Sequence, residues 1–160
     1  MNIESVEMRE IAMRLRNPFE TSFGVTQDRR IILVTVRTDA GEGIGEVTCN
    51  EVPGYSYETT DTAWHVLRDY VVPRVVGRNV ATPADLQPLL SPIRGHLMAK
   101  AGLETAVWDT FARASGQPLW RYLGGVREEV PVGVSVGIRP DPVRLAEDLL
   151  MLDWITRGRA

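Results

Sequence analysis

The sequence predicts an α+β fold in which a three-stranded antiparallel meander precedes several helices and then a strand–helix unit of a different kind. Three observations support this prediction. A β-branched segment from Arg30 to Arg37 adjoins a glycine-containing turn. Apolar residues in the middle of the chain recur at helical spacing. Beyond residue 125, an apolar segment and one further helix follow, an order typical of parallel α/β structure.

The meander is predicted from three segments. Ile3 to Leu15 alternates loosely between apolar and polar residues, which favours a strand, whereas residues 17–29 break the pattern and predict a loop. Arg30 to Arg37 is the strongest strand, and the turn after it leads to a third strand from Gly43 to Cys49. Because the glycines of this turn lie between two strands, they do not form a nucleotide-binding loop.

The helices are predicted from apolar spacing and from capping residues. Ala63 to Val71 has helical spacing, and Pro73 is expected to end that helix. Gly116 is expected to end the clearest helix, which has Leu103, Val107 and Phe111 on one face. The remaining predicted helices are Pro83–Leu90, Leu97–Ser115 (the clearest one), Pro118–Leu123 and a last one from Pro142 to about Ile155.

The last part of the chain differs from the rest. Val130 to Ile138 is apolar on both faces, as expected of a strand in a sheet that is covered on both sides. Such a strand needs a neighbour, and the sequence provides no second one after it. An unpaired edge of this kind favours aggregation. We therefore expect either a homo-oligomer or association with the missing portion of a larger fold.

Composition excludes several classes of function. The chain has 160 residues, 44% of them apolar, and a formal net charge of -3, so nothing favours binding to nucleic acid or to an anionic membrane. The start lacks a signal peptide, and no apolar run approaches the ~20 residues of a membrane span. We expect a cytoplasmic protein. Cys49 is the single cysteine and is interpreted as a small buried residue.

One segment carries a family resemblance. Ala99-Lys-Ala-Gly-Leu-Glu-Thr-Ala-Val-Trp-Asp109, continued by Gly116–Trp120 and Leu123–Gly125, resembles the linker helix of the enolase superfamily in its muconate-lactonising branch. Pro18–Phe23 and Val132–Ile138 are similar to o-succinylbenzoate synthases of menaquinone biosynthesis that overlap with N-acylamino acid racemases. The resemblance implies an enolase-like N-terminal capping domain at 1–125 and, at 126–160, the start of a truncated (β/α)8 barrel.

The resemblance also implies a chemistry. In this family Mg²⁺ stabilises an enediolate formed from a small carboxylate substrate, and lysines on later barrel strands move the α-proton. The Lys-x-Lys pair and the acidic metal ligands have no counterpart here, and Lys100 is the only lysine. We therefore expect no catalytic residue, no metal ligand and no bound cofactor in this chain, and we expect it to be inactive alone.

Four residues match substrate-facing positions of the family. Phe19, Phe23 and Tyr55 match loops that close over the barrel mouth, and Ser135 matches a position on the first barrel strand. The alternative for each is ordinary packing. Glu46 and Asp109 are interpreted as structural carboxylates, and His65 and His96 as non-catalytic. The four tryptophans at helical positions are interpreted as core residues, some of which would be exposed if a barrel were missing; they are Trp64, Trp108, Trp120 and Trp154.

Two other functions stay open at this stage. Another member of the superfamily, a muconate cycloisomerase or a dipeptide epimerase, would share the same front part, because the residues that distinguish these enzymes follow Ser135. A protein of a different class, a non-catalytic lid or binding module, would also lack Lys-x-Lys and the acidic ligands.

Overall fold

Three strands and six α-helices make up the part of the chain that the computed structural model describes, residues 1–22, 24–133, 136–137, 139 and 141–157. The chain divides into two units. The first comprises Met1–Arg16 and Asp28–Gly125, and the second comprises Asn17–Gln27 and Val126–Ala160.

The strands form one sheet in the order β1 (Ile3–Thr21), β2 (Gly24–Thr38) and β3 (Gly41–Val47). The β2–β3 pair is antiparallel, with Ile32 opposite Val47 and Thr38 opposite Gly41, and a two-residue turn joins the strands. The predicted antiparallel meander is confirmed.

The predicted loop at residues 17–29 is wrong, because most of it continues the first two strands. β1 extends to Thr21 and β2 begins at Gly24. Exposed side chains dominate β1 beyond Arg16, so no apolar alternation marks this part as a strand. Pro18 is compatible with β1 because that strand lies at the edge of the sheet and can leave a backbone position unpaired.

The first helical segment passes through the proline that was expected to end it. Helix α1 (Thr60–Val66) leads into a π-helical turn at Leu67–Val71 and then into α2 (Val72–Val75), which contains Pro73. The Val72 N–H donates to Leu67 O, five residues back. The wider turn accommodates a residue that has no N–H to donate, so the helix continues for one more turn.

The other helices confirm the sequence prediction. α4 ends where Gly116 adopts a left-handed backbone with φ of +67°. A 3₁₀ turn, Pro83–Asp85, precedes α3, and Asp85 accepts the Ala81 and Thr82 N–H groups at 2.8 and 2.9 Å. The bounds are Leu86–Leu90 for α3, Leu97–Ala114 for α4 and Leu119–Tyr122 for α5.

The core of the first unit lies between the sheet and α4. Ile32, Val34 and Val36 of β2 are fully buried, and so is Leu103 of α4. Strand β3 lies directly against α4 because both carry glycine where they meet. A Cβ at Gly45 would lie 2.0 Å from Gly102 O, a distance that only glycine avoids.

The described part of the second unit includes α6 (Pro142–Thr156). Asp141 caps this helix, and its carboxylate accepts the Arg144 N–H at 2.9 Å. The strand predicted from Val130 to Ile138 is wrong for its described residues, which lie in no strand. They have no partner strand among the described residues, and a strand is stable only when paired. Val134, Ser135 and Ile138 lie outside the described residues. In the described ranges, no helix is both long enough and apolar enough to cross a membrane.

Candidate functional site

Tyr55 lies in the connection between β3 and α1, residues 50–59, hereafter the 50–59 loop. Its side chain is 83% exposed, and Val52 and Tyr57 beside it are also largely exposed. A short turn, in which the Gly54 N–H donates to Val52 O at 2.9 Å, shapes the tip. A group of exposed apolar side chains on an ordered loop is typical of a binding surface.

Glu58 fixes the far end of this loop. Its side chain is 1% exposed, and its two oxygens accept the N–H groups of Met98 and Ala99 at 2.8 and 3.0 Å. These amides lie in the first turn of α4, where no intrahelical acceptor exists. The cap residue His96 has a left-handed backbone and makes no capping hydrogen bond with its side chain. The carboxylate of Glu58 therefore caps α4, where the helix dipole favours a negative charge.

Arg30 of β2 binds three carboxylates at the near end of the loop. It donates two hydrogen bonds to Glu10 at 2.7 and 2.9 Å, one to Glu51 at 3.0 Å and one to Asp61 at 2.7 Å. Hydrogen bonding to Arg30 lowers the pKa of Glu10 and of Asp61. The same hydrogen bonds, chiefly those that Arg30 donates to Glu10, raise the pKa of Arg30.

A groove of about 570 Å³ lies beside this cluster. His65 Nδ1 is 2.9 Å from Asp69, and the rings of His96 and Tyr57 meet edge to face at 6.2 Å. Among the described residues, buried His96 Nδ1 has no hydrogen-bond partner. No serine lines the groove, and the Thr62 hydroxyl donates to Thr59 O at 3.1 Å. Its lining residues are Asp61, Thr62, His65, Val66, Tyr70, Ile93, Arg94 and His96.

The other predicted site residues stand as follows. Phe19 lies on β1 in the second unit, in a strand rather than in the expected loop, and is 62% exposed. Phe23 and Ser135 lie outside the described residues. The substrate-facing roles of Phe19, Phe23, Tyr55 and Ser135 stay predictions.

The sequence assigned two carboxylates, Asp109 and Glu46, to structural roles. Asp109 accepts the Ile44 N–H at 2.9 Å and pairs with Arg113 at 2.7 Å, which confirms its structural role. Glu46 is exposed on β3. Within the described ranges, no group of three or more His, Cys, Asp or Glu residues is placed to hold a metal ion.

The cysteine, the lysine and the tryptophans that the sequence singled out lie in different environments. Cys49 is buried, as predicted, and burial raises the pKa of its thiol to about 11. Lys100 donates to Ile93 O at 3.0 Å. Trp64 packs partly buried against the core, whereas Trp120 is 44% and Trp154 80% exposed, in line with the expectation that some of the four tryptophans would be exposed. Neither Trp120 nor Trp154 has the buried environment that a core residue requires.

Sequence reasoning missed Arg30 and Glu58. Arg30 begins the strongest predicted strand, but its partners Glu10, Glu51 and Asp61 come from distant parts of the chain. Glu58 precedes the Thr59-Thr60 pair that starts α1, but its amide partners lie 40 and 41 residues further on. A local sequence pattern carries no signal for such contacts.

Two curated relatives cover almost all of this chain. It is 45% identical to an N-succinylamino acid racemase from Thermus thermophilus over 150 residues, which are 92% of this chain and 41% of that protein. It is 44% identical to an o-succinylbenzoate synthase from Geobacillus kaustophilus over 153 residues, which are 95% of this chain and 40% of that protein. The chain thus spans about two fifths of the length of these relatives.

Solved structures and a family model agree with these relatives. An enolase superfamily member from Listeria innocua superposes with a TM-score of 0.88 at 29% identity, over 99% of this chain and 42% of that one. Residues 3–124 match the family described as mandelate racemase / muconate lactonizing enzyme, N-terminal domain. The match covers the meander, the 50–59 loop and helices α1–α5. The chain therefore belongs to the enolase superfamily and carries the N-terminal domain of its mandelate racemase / muconate lactonizing enzyme family.

Proposed function

We propose that this chain is the substrate-covering front part of an o-succinylbenzoate synthase that also acts as an N-acylamino acid racemase, and thus takes part in menaquinone biosynthesis in the cytoplasm. The observation that carries the proposal is the 44–45% identity to an o-succinylbenzoate synthase and to an N-succinylamino acid racemase over more than nine tenths of the chain. In this proposal, residues 1–125 are the capping domain and residues 126–160 begin the barrel.

The role of this chain is to close the site and select the substrate. The tip of the 50–59 loop presents Tyr55 to solvent, as expected of an aromatic side chain that packs against a ligand or a second domain. Closing such a lid excludes water and favours acyl groups of matching shape. Phe19 and Phe23 add apolar surface, and Ser135 offers a hydroxyl to a small carboxylate substrate.

The described residues do not fit the Mg²⁺ that the family implies. Both oxygens of Glu58 accept helix amides, and Asp109 is engaged by Ile44 and Arg113. Mg²⁺ prefers six oxygen ligands in octahedral geometry, and these carboxylates lie apart rather than in one group. Lys100 of α4, the sole lysine, donates a hydrogen bond to the backbone carbonyl of Ile93, which lies between α3 and α4. Neither the metal-dependent step nor the proton transfer is therefore assigned to this chain.

A domain exchange tests the proposal. Residues 1–125 of this chain replace the corresponding part of the Geobacillus synthase, and both o-succinylbenzoate formation and racemisation of N-succinylamino acids are followed. We expect both activities, and we expect Tyr55→Ala to lower kcat/KM by about 10-fold or more because the lid contact is lost. Tyr70→Ala serves as the control, since Tyr70 is another exposed tyrosine (52%) but lies outside the loop.

The outcomes separate the alternatives. Turnover of a muconate or of a dipeptide instead would favour the other superfamily reactions. If the folded chimera binds ligand but shows no turnover, the non-catalytic module would be favoured. Equal loss in Tyr55→Ala and Tyr70→Ala would contradict the lid role of Tyr55.

A further inference from the structure

The 50–59 loop has a narrow neck. The Thr60 N–H donates to Asn50 O at 3.1 Å, and the Thr60 hydroxyl donates to Cys49 O at 3.3 Å. Asn50 and Thr59 form a short backbone bridge. The two ends of the loop therefore meet, and the exposed tip between them depends on how firmly this neck is held.

Arg30 joins the elements that surround the neck. Glu51 belongs to the first part of the loop, Asp61 to the first turn of α1, and Glu10 to the neighbouring strand β1. One planar guanidinium contacts all three carboxylates within 3.0 Å, twice in the case of Glu10. Such a two-pronged contact fixes orientation as well as distance.

Charge balance makes this contact more than an isolated surface ion pair. Three carboxylates surround a single cation, so a neutral residue in place of Arg30 would leave three negative groups to repel one another. Single exposed ion pairs contribute little because solvent screens them, but networks with two-pronged arginine geometry are the exception. Loss of Arg30 should therefore move Glu51 away from Asp61 and widen the neck.

We propose that Arg30 is a positioning residue that clamps the neck of the 50–59 loop and thereby holds Tyr55 where it meets the substrate. Arg30 itself contacts neither the tip nor any substrate; it acts through Glu51 and Asp61. The part of the proposal that concerns substrate rests on the proposed function, whereas the clamp does not.

Hydrogen exchange of the chain measures the clamp. In Arg30→Gln we expect the Gly54 and Thr60 amides to exchange about three- to tenfold faster, as expected from the loss of a small ion-pair network. Arg37→Gln is the matched control, because Arg37 also lies on β2 and pairs with Glu7 and Glu42 but contacts no residue of the loop. Glu51→Gln, which removes one contact, should give a smaller increase in the same amides.

Enzyme kinetics of the chimera, in which residues 1–125 of this chain replace the corresponding part of the Geobacillus synthase, then separate the clamp from the proposed function. We expect Arg30→Gln to raise KM more than it lowers kcat. We expect Arg30→Lys, which keeps the positive charge but not the planar two-pronged guanidinium, to restore KM only in part. Equal exchange at Gly54 and Thr60 in the parent chain, Arg30→Gln and Glu51→Gln would overturn the clamp. Faster exchange with an unchanged KM would leave the clamp standing and overturn the substrate role of the loop.

Discussion

Glycine determines how closely β3 approaches α4. A Cβ at Gly43 would lie 2.2 Å from Ala106 O, and a Cβ at Gly102 would lie 2.3 Å from Val47 Cγ2. With Gly45, these residues allow a strand and a helix to meet through their backbones on the buried side of the sheet. Most of the atoms nearest to Gly43 and Gly45 are backbone atoms, which cannot rotate away as a side chain can.

Gly45→Ala should therefore destabilise the protein. The added methyl must displace the backbone of α4, and overpacking of this kind costs about 1–3 kcal/mol or more. Thermal unfolding should show a midpoint lower by about 5–10 °C. Gly54→Ala provides the control, since no atom lies within 4 Å of its added Cβ. Equal midpoints for the two variants would contradict the close strand–helix contact.

At the scale of elements, α4 depends on a carboxylate from outside the helix. Glu58 supplies the cap that His96 does not, and it links the 50–59 loop to the start of α4. One buried side chain thus stabilises the helix and fixes one end of the loop that carries Tyr55.

Glu58→Ala should expose this dependence. The buried Ala99 amide and the partly buried Met98 amide lose a charged acceptor, which costs about 2–3 kcal/mol. Denaturant unfolding measures the loss, with Glu46→Ala, an exposed carboxylate on β3, as the control expected to stay within about 0.5 kcal/mol of the parent chain. A stability of Glu58→Ala that equals that of Glu46→Ala would show that water caps α4 as well as the carboxylate does.

The elements also show what local sequence encodes. Helix α4 was predicted closely, because its buried face repeats at helical spacing and Gly116 ends it. The extension of β1 and β2 was not, because strand pairing at the exposed tip uses backbone groups that leave no apolar pattern. The π-helical turn before Pro73 was missed for a related reason: it changes the hydrogen-bond spacing without changing the composition.

The candidate site likewise has one part that local sequence predicted and another part that depends on tertiary contacts. The loop around Tyr55 was predicted from its turn residues and its family match, and the structure confirms that it is neither helix nor strand apart from the bridges at its two ends. Arg30 and Glu58, which hold the loop, could not be predicted, since each contacts residues that only the tertiary fold brings near.

At the scale of the whole molecule, we propose that this chain covers the substrate and that other parts of the enzyme carry out the chemistry. Its 160 residues contain one lysine and no Lys-x-Lys pair. In the second unit, large apolar side chains of α6 such as Leu150, Met151 and Trp154 are exposed, as in a helix that awaits a packing partner. The chain spans about two fifths of the length of each of these relatives.

The most direct test of this account is α-proton exchange of an N-succinylamino acid in D₂O, followed by NMR with added Mg²⁺. The isolated chain and the chimera that carries its residues 1–125 in the Geobacillus synthase are measured side by side. We predict α-proton exchange by the chimera that carries residues 1–125 of this chain. For the isolated chain we predict none above the background measured with Mg²⁺ alone. Mg²⁺-dependent exchange by the isolated chain would contradict the account, because the chain would then contain the catalytic groups that we assign to the rest of the enzyme.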